Sequence, residues 1–402
     1  MMTGASAKTV TAPNAHLSLI TEPDAGIAPI SKAIETAGKK PIRVVMYEFE
    51  DTDLETDLVA AHDRGAKVQV LLNGGYYGGG SDQNQQAYGY FKAHHVPVRW
   101  TPSYFALTHE KMMLIGNTAY IMTFNWTPQY YSTSRDFAVV DKDKTDVAAI
   151  KTTFDADWAD KKITAPNGKD LVWSPGSEQA QVELINSVSK GYIDIYNEEM
   201  DDQPIEDALA AAVKRGVKVR VVMTESSDWD NAFDQLTAAG VSIHLFPDSS
   251  SALYIHAKMI LTPQRAFVGS ENFSWTSLNR NRELGIIFSA KPILKSLHKT
   301  FDGDYADAQP FKAAGSGSSS SDNAKNASCK VSASYSSSYG DWDVYVHSNQ
   351  PETTATVTGA GTSADYKTDS SGYADIYFKA PKSAAGQKIT VQVGSATCTG
   401  TL

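Results

Sequence analysis

Residues 41–72 of the chain, PIRVVMYEFEDTDLETDLVAAHDRGAKVQVLL, decide the fold. The stretch opens with an apolar run and continues with an amphipathic segment in which Leu54 and Leu58 recur at helical spacing. Gly65 then ends the helical pattern, and a second apolar run follows at Val68–Leu72. A helix between two strands requires a crossover that leaves the strands parallel, so this stretch predicts an α/β sheet.

The same order of elements occurs again in residues 191–223, GYIDIYNEEMDDQPIEDALAAAVKRGVKVRVVM. Gly216 takes the place of Gly65 and Glu199 takes the place of Glu48, at one common offset of 151 residues (216 − 65 and 199 − 48). The repeated unit is far longer than a solenoid repeat. We therefore predict a duplicated α/β domain.

A set of polar residues also occurs twice with the same spacing. In each copy a Lys follows a His by two residues, an Asn follows it by 16 (125 − 109 and 272 − 256), and a carboxylate follows it by 27 (136 − 109 and 283 − 256). The two sets are His109, Lys111, Asn125 and Asp136, and His256, Lys258, Asn272 and Glu283. Two such sets with identical spacing are hard to obtain by chance, and they indicate that both sets serve the same chemical reaction.

The residue types in these sets are those that phosphodiester cleavage requires. Lysines supply fixed positive charge, and asparagines supply amide donors for the non-bridging oxygens. Histidine is a competent nucleophile and a competent acid near neutral pH, so one His can attack phosphorus while the other protonates the leaving group. Thr123 and Ser270 add hydroxyl donors, and we expect Asp136 and Glu283 to hold the imidazoles in one tautomer.

Each His-x-Lys sequence is followed by an apolar run, Met112–Ile115 in the first copy and Met259–Leu261 in the second. These runs are typical of buried strands. On a strand, side chains two residues apart share a face, so we expect each His and its Lys to point together.

These motifs resemble the pattern of the phospholipase D superfamily, which is His-x-Lys, four residues, Asp, and later Gly-Ser-x-Asn. The second copy matches best, with His256-Ala257-Lys258 and Gly269-Ser270-Glu271-Asn272. The first copy has Met122-Thr123-Phe124-Asn125 at the corresponding place. The resemblance covers roughly residues 16 to 310.

The resemblance implies two α/β halves related by a pseudo-twofold axis, with one active site between them. It also implies a covalent phosphohistidine that water or an alcohol then attacks, with no metal or other cofactor, and by the usual family order His109 is the nucleophile. Both copies lack the family's Asp, because Gly116 and Pro263 stand seven residues after the histidines (116 − 109 and 263 − 256). That Asp is generally regarded as structural, so its absence indicates a specialised subgroup.

The C-terminal segment has a different character. It holds both cysteines, Cys329 and Cys398, and is rich in Ser, Thr, Gly and Tyr. Alternating stretches such as Asp343–Val346 and Ala374–Phe378 predict a small all-β unit, an immunoglobulin-like sandwich. A disulfide from its first strand to its last would stabilise so small a core, and two free thiols are the alternative. Ahead of it, Ala313–Asp322 has the composition of a flexible linker.

We therefore predict a chain of successive segments. They are an N-terminal extension at 1–15, a first α/β half at 16–165, a second half at 166–312, a Ser/Gly linker at 313–325 and a β-sandwich domain at 326–402.

Composition limits the cellular setting and the partners. No apolar run approaches the roughly 18 residues of a membrane-spanning helix, and residues 1–13 contain no apolar segment of signal-peptide type. The expected disulfide and linker favour a secreted or periplasmic protein whose signal peptide has been removed. The net charge of −10 offers no basic face for duplex DNA, so we expect no duplex binding.

Several other residues have both a structural and a functional interpretation. Glu48, Glu50, Glu198 and Glu199 follow predicted strands, where they can cap the next helix or bind a cation, and we favour capping. The glycine-rich run Asn73–Gly80 follows a strand as a phosphate loop does, but it lacks the Lys-Ser/Thr ending. We interpret that run as a mobile loop beside the cleft.

Aromatic residues follow both asparagines, and we expect Trp126 and Trp275 to line the mouth of the site. An aromatic rim suits a lipid interface, but it also suits stacking of single-stranded bases.

The sequence thus predicts a phospholipase D-type phosphodiesterase that hydrolyses glycerophospholipids or exchanges their headgroups. We expect a monomer with peripheral contact to a lipid surface. One alternative is an exported nuclease that acts on single-stranded nucleic acid. Another, of a different class, is a binding protein that uses the C-terminal β domain and whose phosphodiesterase site is silent, although the intact Lys and Asn pairs argue against silence.

Overall fold

A computed structural model of the chain describes residues 9–12, 16–74, 84–312, 327–336, 341–351, 353–368 and 372–402. The linker predicted at 313–325, most of the N-terminal extension and residues 75–80 of the glycine-rich loop lie outside these ranges.

The described helices are α1 (Ala28–Glu35), α2 (Thr52–Asp63), α3 (Gln85–Ala93), α4 (Lys144–Trp158), α5 (Glu178–Asn186), α6 (Gln203–Lys214), α7 (Asp230–Ala238), α8 (Trp275–Asn279) and α9 (Lys291–Asp307). Short 3-10 turns lie at Pro128–Tyr130, Ser227–Trp229 and Lys382–Ala384.

The described strands are β1 (Val10–Ala12), β2 (Leu17–Glu22), β3 (Ile42–Met46), β4 (Val68–Leu72), β5 (Val98–Trp100), β6 (Met112–Ile115), β7 (Thr118–Met122), β8 (Ser134–Asp141), β9 (Leu171–Ser174), β10 (Tyr192–Tyr196), β11 (Met200–Asp201), β12 (Lys218–Thr224), β13 (Ser242–Phe246), β14 (Tyr254–Ile255), β15 (Lys258–Leu261), β16 (Ala266–Gly269), β17 (Phe273–Ser274), β18 (Glu283–Phe288), β19 (Gln309–Pro310), β20 (Cys329–Ser336), β21 (Asp341–Ser348), β22 (Thr354–Gly359), β23 (Thr362–Lys367), β24 (Tyr373–Phe378), β25 (Lys388–Val393) and β26 (Ala396–Thr401).

The first sheet is built outward from the stretch at 41–72. β3, α2 and β4 form the predicted crossover, and β3 pairs in parallel with β4, with Ile42 opposite Val68. Gly65 has φ +93°, a left-handed conformation that ends α2 and that glycine adopts without steric cost. β5 extends the parallel side, while β6, β7, β8, β2 and β1 continue the sheet on the other side of β3 in antiparallel pairs.

The second sheet repeats this plan. β10, α6 and β12 form the crossover, with Ile193 opposite Val219 in a parallel pair. β13 extends the parallel side, and β15, β16, β18 and β9 follow on the other side of β10 in antiparallel pairs. The predicted duplicated α/β fold is confirmed.

The two sheets share one apolar core. Phe137 and Val139 of β8 face it from the first sheet, and Leu284 and Ile286 of β18 face it from the second, while α4 and α9 complete it. A further core lies on the opposite face of the first sheet, under α1, α2 and α3. Burial of each large apolar side chain contributes about 1.5–3 kcal/mol, so the contact between the halves is part of the folding core.

The C-terminal segment forms two antiparallel sheets, ordered β20-β21-β24 and β23-β22-β25-β26. Residues of both sheets, among them Val344 and Val391, meet in one apolar core, which makes the unit a sandwich. A disulfide joins Cys329 of β20 to Cys398 of β26, with the Cα atoms 5.6 Å apart. The predicted disulfide is confirmed, and the alternative of two free thiols is wrong.

The described residues fall into two compact units. One consists of Met1–Ser227 with Ala239–Phe311, and the other of Asp228–Ala238 with Lys312–Leu402. In the described part of the chain no helix is long and apolar enough to cross a membrane.

Candidate active site

A cavity of about 310 Å³ is lined by residues of both halves. Both motif histidines and both motif asparagines line it, so the fold brings the two sequence sets into one site. The other lining residues are Glu22, Tyr47, Glu48, Phe124, Thr127, Tyr130, Tyr131, Ser134, Asp136, Glu198, Glu199 and Tyr254.

The segment that carries His109 crosses to the second half. Thr108 forms an isolated parallel bridge with Arg282, and the backbone N–H of His109 donates to the Arg282 carbonyl at 3.0 Å. The His109 Nδ1 atom lies 2.8 Å from Glu283 Oε2 and 3.0 Å from the Ser270 carbonyl. Both neighbours accept hydrogen bonds, so Nδ1 carries the proton and Nε2 keeps its lone pair in the neutral ring.

The segment that carries His256 makes the reciprocal crossing. β14 pairs in parallel with the start of β8, and the backbone N–H of His256 donates to the Arg135 carbonyl at 3.3 Å. Nδ1 of His256 then lies 3.0 and 3.2 Å from the two carboxylate oxygens of Asp136. Each motif carboxylate therefore orients the histidine of the opposite half.

The two lysines are buried beside the motif histidines and are not among the described residues that line the cavity. Lys111 is 1% exposed and Lys258 is fully buried. Each Nζ donates to the carbonyl of its own motif histidine, at 2.7 Å for Lys111 and 2.5 Å for Lys258. The motif lies where a strand begins, because His109–Lys111 precedes β6 and Lys258 is the first residue of β15. The expectation that each His-x-Lys sequence lies within a strand is therefore wrong, because each lies before or at the first residue of its strand. The apolar runs that follow the two sequences are buried strands, as predicted.

Two equivalent glutamates hold the motif amides. Asn125 Nδ2 donates to Glu48 Oε2 at 3.3 Å, and Asn272 Nδ2 donates to Glu199 Oε1 at 3.0 Å. Each amide nitrogen retains a second N–H for a ligand.

The expectation that glutamates cap the helices after β3 and β10 is wrong. Asp51 accepts hydrogen bonds from the first turn of α2, and Asp202 does so for α6. The aspartates immediately precede the helices, where their short side chains reach the exposed N–H groups. Glu48, Glu198 and Glu199 are thereby left to line the cavity, whereas Glu50 is exposed to solvent.

Thr123 and Ser270, predicted as hydroxyl donors to a substrate, are fully buried and bond to the protein. The Thr123 hydroxyl donates to the Asp136 carboxylate and accepts the N–H of Phe137 at 2.9 Å. The Ser270 hydroxyl accepts the N–H of Leu284 at 3.2 Å. Through these bonds Thr123 holds the carboxylate of Asp136, and Ser270 holds the backbone next to Glu283.

The placement of Trp126 at the mouth of the site is wrong. Its side chain is fully buried and packs edge-to-face on Phe49, with ring centroids 4.8 Å apart. Trp275 is 41% exposed but is not one of the described residues that line the cavity. Tyr130, which is 46% exposed, and Tyr131 take this place.

The lining residues that sequence reasoning missed include Glu22, Tyr47 and Tyr254. Tyr254 stands two residues before His256, and the period of two along an extended segment is a signal that could have found it. Glu22 lies opposite Asp136 in the β2–β8 pairing, a long-range relation that no local pattern shows.

Burial and neighbouring charge set the protonation of the site. Burial and Lys111 lower the pKa of His109 to about 4, although Glu283 opposes this shift. Burial and Lys258 lower the pKa of Lys111 to about 7. Burial by itself would raise the pKa of Glu198, but Lys258 and His256 hold it well below its usual range. Near neutral pH the site therefore combines a neutral His109 with an ionised Glu198.

The positions of the missing family Asp lie in turns. Gly116 has φ +58° in the turn between β6 and β7, and Pro263 follows β15 in the corresponding turn.

Among the residues that the structure describes, no group of three or more His, Cys, Asp or Glu could hold a metal ion.

Comparison with known proteins gives the following relatives. The family described as "Cardiolipin synthase, PLD-like domain" matches residues 30–158 and 182–305, more than half of the chain. "Phospholipase D Z" of Dictyostelium discoideum is 34% identical over 109 residues, 26% of this chain. The match also spans only 26% of that relative's length.

Two solved structures share the architecture. The polyphosphate kinase of Porphyromonas gingivalis superposes with a TM-score of 0.57 and 14% identity, over 74% of this chain and 48% of that one. The phosphatidylserine synthase of Haemophilus influenzae Rd KW20 superposes with a TM-score of 0.57 and 11% identity, over 76% of this chain and 89% of that one. Identities this low show a common fold and no more.

Proposed function

The chain belongs to the phospholipase D superfamily, and from this premise we propose that it is a phosphodiesterase that hydrolyses glycerophospholipids or exchanges their headgroups. One observation carries the proposal: two imidazoles, each oriented by a carboxylate of the opposite half, face one cavity. Such a pair can divide the work of nucleophile and acid.

The first step forms the covalent intermediate. Nε2 of His109 attacks phosphorus, so that an N–P bond forms while the P–O bond to the leaving alcohol breaks. The proton on Nε2 of His256 passes to the leaving oxygen. Lys111, Lys258 and the second N–H groups of the two asparagines stabilise the charge on the non-bridging oxygens.

The second step releases the product. His256, now neutral, takes a proton from an incoming water or alcohol, whose oxygen attacks phosphorus as the N–P bond breaks. Water gives hydrolysis and an alcohol gives headgroup exchange. Both histidines return to their starting protonation states.

Charge in the cavity favours lipid over nucleic acid as substrate. Glu198, whose pKa is held well below its usual range, lines the cavity with the two histidines, and a polyanion would bring further phosphates close to this ionised carboxylate. The partly exposed Tyr130 has an apolar ring and a polar tip, which suits a lipid–water interface. An uncharged or zwitterionic headgroup meets less repulsion here than a strand of phosphates.

The C-terminal sandwich enters the proposal as a separate module. We propose that residues 326–402 form this sandwich after a linker at 313–325, and that the sandwich binds a surface or polymer. We also propose that the protein is exported and is a monomer. The Cys329–Cys398 disulfide supports an oxidising compartment.

The direct test incubates the purified protein with phosphatidylcholine vesicles and, separately, with single-stranded DNA, both in excess chelator. We expect release of choline and phosphatidic acid, and a loss of several orders of magnitude in His109→Ala and in His256→Ala. His94→Ala, which removes an exposed histidine, is the matched control and should match the wild type. Cleavage of DNA without cleavage of lipid would establish the nuclease alternative instead.

A further inference from the structure

The two halves of the site differ at one pair of equivalent positions. The residues that follow β3 and β10 are Tyr47-Glu48 and Glu198-Glu199, which correspond at the common offset of 151 (198 − 47 and 199 − 48). Glu48 and Glu199 have the same structural role, since each accepts a hydrogen bond from a motif asparagine. Tyr47 and Glu198 have different chemistry, and each lies against the His and Lys of its own half.

In the first half an aromatic ring occupies this position. The Tyr47 ring packs edge-to-face on the His109 imidazole, with centroids 4.5 Å apart. The Lys111 ammonium lies 4.6 Å from the centroid of the same ring. Tyr47 therefore places no negative charge beside His109, and in the described part of the chain the hydrogen bonds of that imidazole are made at Nδ1.

In the second half a carboxylate occupies it. Glu198 Oε2 lies 2.8 Å from Lys258 Nζ and 3.6 Å from His256 Nε2. The other nitrogen of His256 faces Asp136. Each nitrogen of the His256 imidazole thus faces a carboxylate oxygen, which accepts but does not donate a hydrogen bond.

A second difference supports the first. Tyr254 stands two residues before His256, and its hydroxyl donates to Glu198 Oε1 at 2.5 Å. The equivalent residue of the first half is Leu107, at the motif offset of 147 (254 − 107 and 256 − 109). The second half therefore has a hydroxyl that fixes the orientation of its carboxylate, and the first half has an apolar side chain there.

We infer that the exchange of Tyr47 for Glu198 at equivalent positions breaks the twofold symmetry of the site and decides which histidine attacks phosphorus. Glu198 keeps a proton on Nε2 of His256 and so makes it the acid, while Tyr47 leaves the Nε2 lone pair of His109 free for attack. Glu198 acts through His256 and is a positioning residue. The inference rests on the proposed function.

The test compares two soluble phosphodiesters that share one ester group and differ in the leaving alcohol, which is an alkanol or 4-nitrophenol. Departure of an alkanol needs a proton, whereas 4-nitrophenolate departs without one. Glu198→Gln should lower kcat/KM, which reports the steps through loss of the leaving alcohol, by about 100-fold for the alkyl ester, the scale of general acid catalysis. The 4-nitrophenyl ester should lose less than 10-fold, because attack by His109 is unchanged.

Glu50→Gln is the matched control, since it removes an exposed carboxylate from the same segment of the first half. It should leave the ratio of the two kcat/KM values at the wild-type level. An equal loss on both esters in Glu198→Gln would show that Glu198 supports the fold or the charge of the site, and the inference would be wrong. No loss on either ester would overturn it as well.

A second variant exchanges the two residues, Tyr47→Glu with Glu198→Tyr. During turnover of the 4-nitrophenyl ester, an alkaline quench preserves phosphohistidine, and peptide mass spectrometry locates it. We expect the adduct on His109 in the wild type and on His256 in the exchanged protein. An adduct that stays on His109 in an exchanged protein that still turns over would overturn the inference.

The same measurements separate the proposed reaction from the role of Glu198. A wild-type protein that cleaves neither ester and forms no adduct would refute the proposed function itself. A wild type that forms the adduct on His109, with Glu198→Gln equally impaired on both esters, would refute only the role of Glu198.

Discussion

At the scale of single residues, the protonation of His109 is unusual for a histidine. The ring is enclosed, and the Lys111 ammonium lies close to it, so burial and that charge lower its pKa to about 4 even though Glu283 accepts its Nδ1 proton. A nucleophile must be unprotonated at Nε2. The site therefore holds its attacking group ready well below neutral pH.

The first prediction follows for the acid limb of the pH profile. As pH falls through about 4, His109 gains a proton and loses its lone pair, so kcat/KM should fall there instead of near the usual histidine value. The measurement is kcat/KM for a soluble phosphodiester between pH 3 and 8, with circular dichroism at each pH to check the fold. An acid limb near pH 6.5 with an intact fold would contradict the stated environment of His109.

The second prediction concerns the carboxylate behind that ring. Glu283→Gln removes the anionic acceptor at Nδ1 and should lower kcat by on the order of 1,000-fold, since the tautomer and orientation of the imidazole are no longer fixed. In a His109→Ala background the same change should cost little, because the two act as a unit. Additive losses in the double variant would show that Glu283 acts elsewhere.

At the scale of elements, the two short crossing segments create the site. Thr108 bridges to Arg282, and β14 pairs with the start of β8, so each His-x-Lys sequence lies beside the start of a strand of the other half before it enters its own sheet. The spacing of 27 residues between a histidine and the acid of its own half thus has a simple meaning. Those 27 residues lead from the segment that pairs with the other half to the strand of the same half with which the other half's segment pairs.

The third prediction tests the glycine stops of the crossover units. Gly216 has φ +83° and open space around it, so Gly216→Ala should destabilise the fold through backbone strain alone, by about 1 kcal/mol. Gly303 lies within α9 and also has open space, so Gly303→Ala should stabilise by roughly 0.5–1 kcal/mol. Urea unfolding measures both. Equal effects of the two substitutions would contradict the stated role of Gly216.

At the scale of the whole molecule, the local patterns predicted more than the long-range ones. The duplicated crossover and both motif sets could be read directly, because strand and helix periods and fixed offsets are local. The pairing of His109 with Glu283 across halves could not, since it depends on contacts between strands far apart in sequence. Trp126 was misplaced because an aromatic next to Asn125 can turn to the core or to solvent, and only packing against Phe49 decides.

The fourth prediction concerns the C-terminal sandwich. The disulfide spans 69 residues, and a loop of that length implies a chain-entropy contribution of roughly 4 kcal/mol. Cys329→Ser with Cys398→Ser should therefore lower the thermal midpoint of this unit, as followed by calorimetry, while kcat on a soluble phosphodiester stays at the wild-type level. A matching fall in kcat would show that the sandwich supports the catalytic unit.

The central claim is that two histidines from opposite halves share one reaction, and a burst experiment with His256→Ala tests it most directly. A 4-nitrophenyl phosphodiester needs no acid for the first step, and without His256 no base activates water for the second. We expect His256→Ala to release about one equivalent of 4-nitrophenol per enzyme and to carry a phospho-adduct on His109, with no adduct in His109→Ala. Continuous turnover by His256→Ala, or an adduct on any residue other than His109, would contradict it.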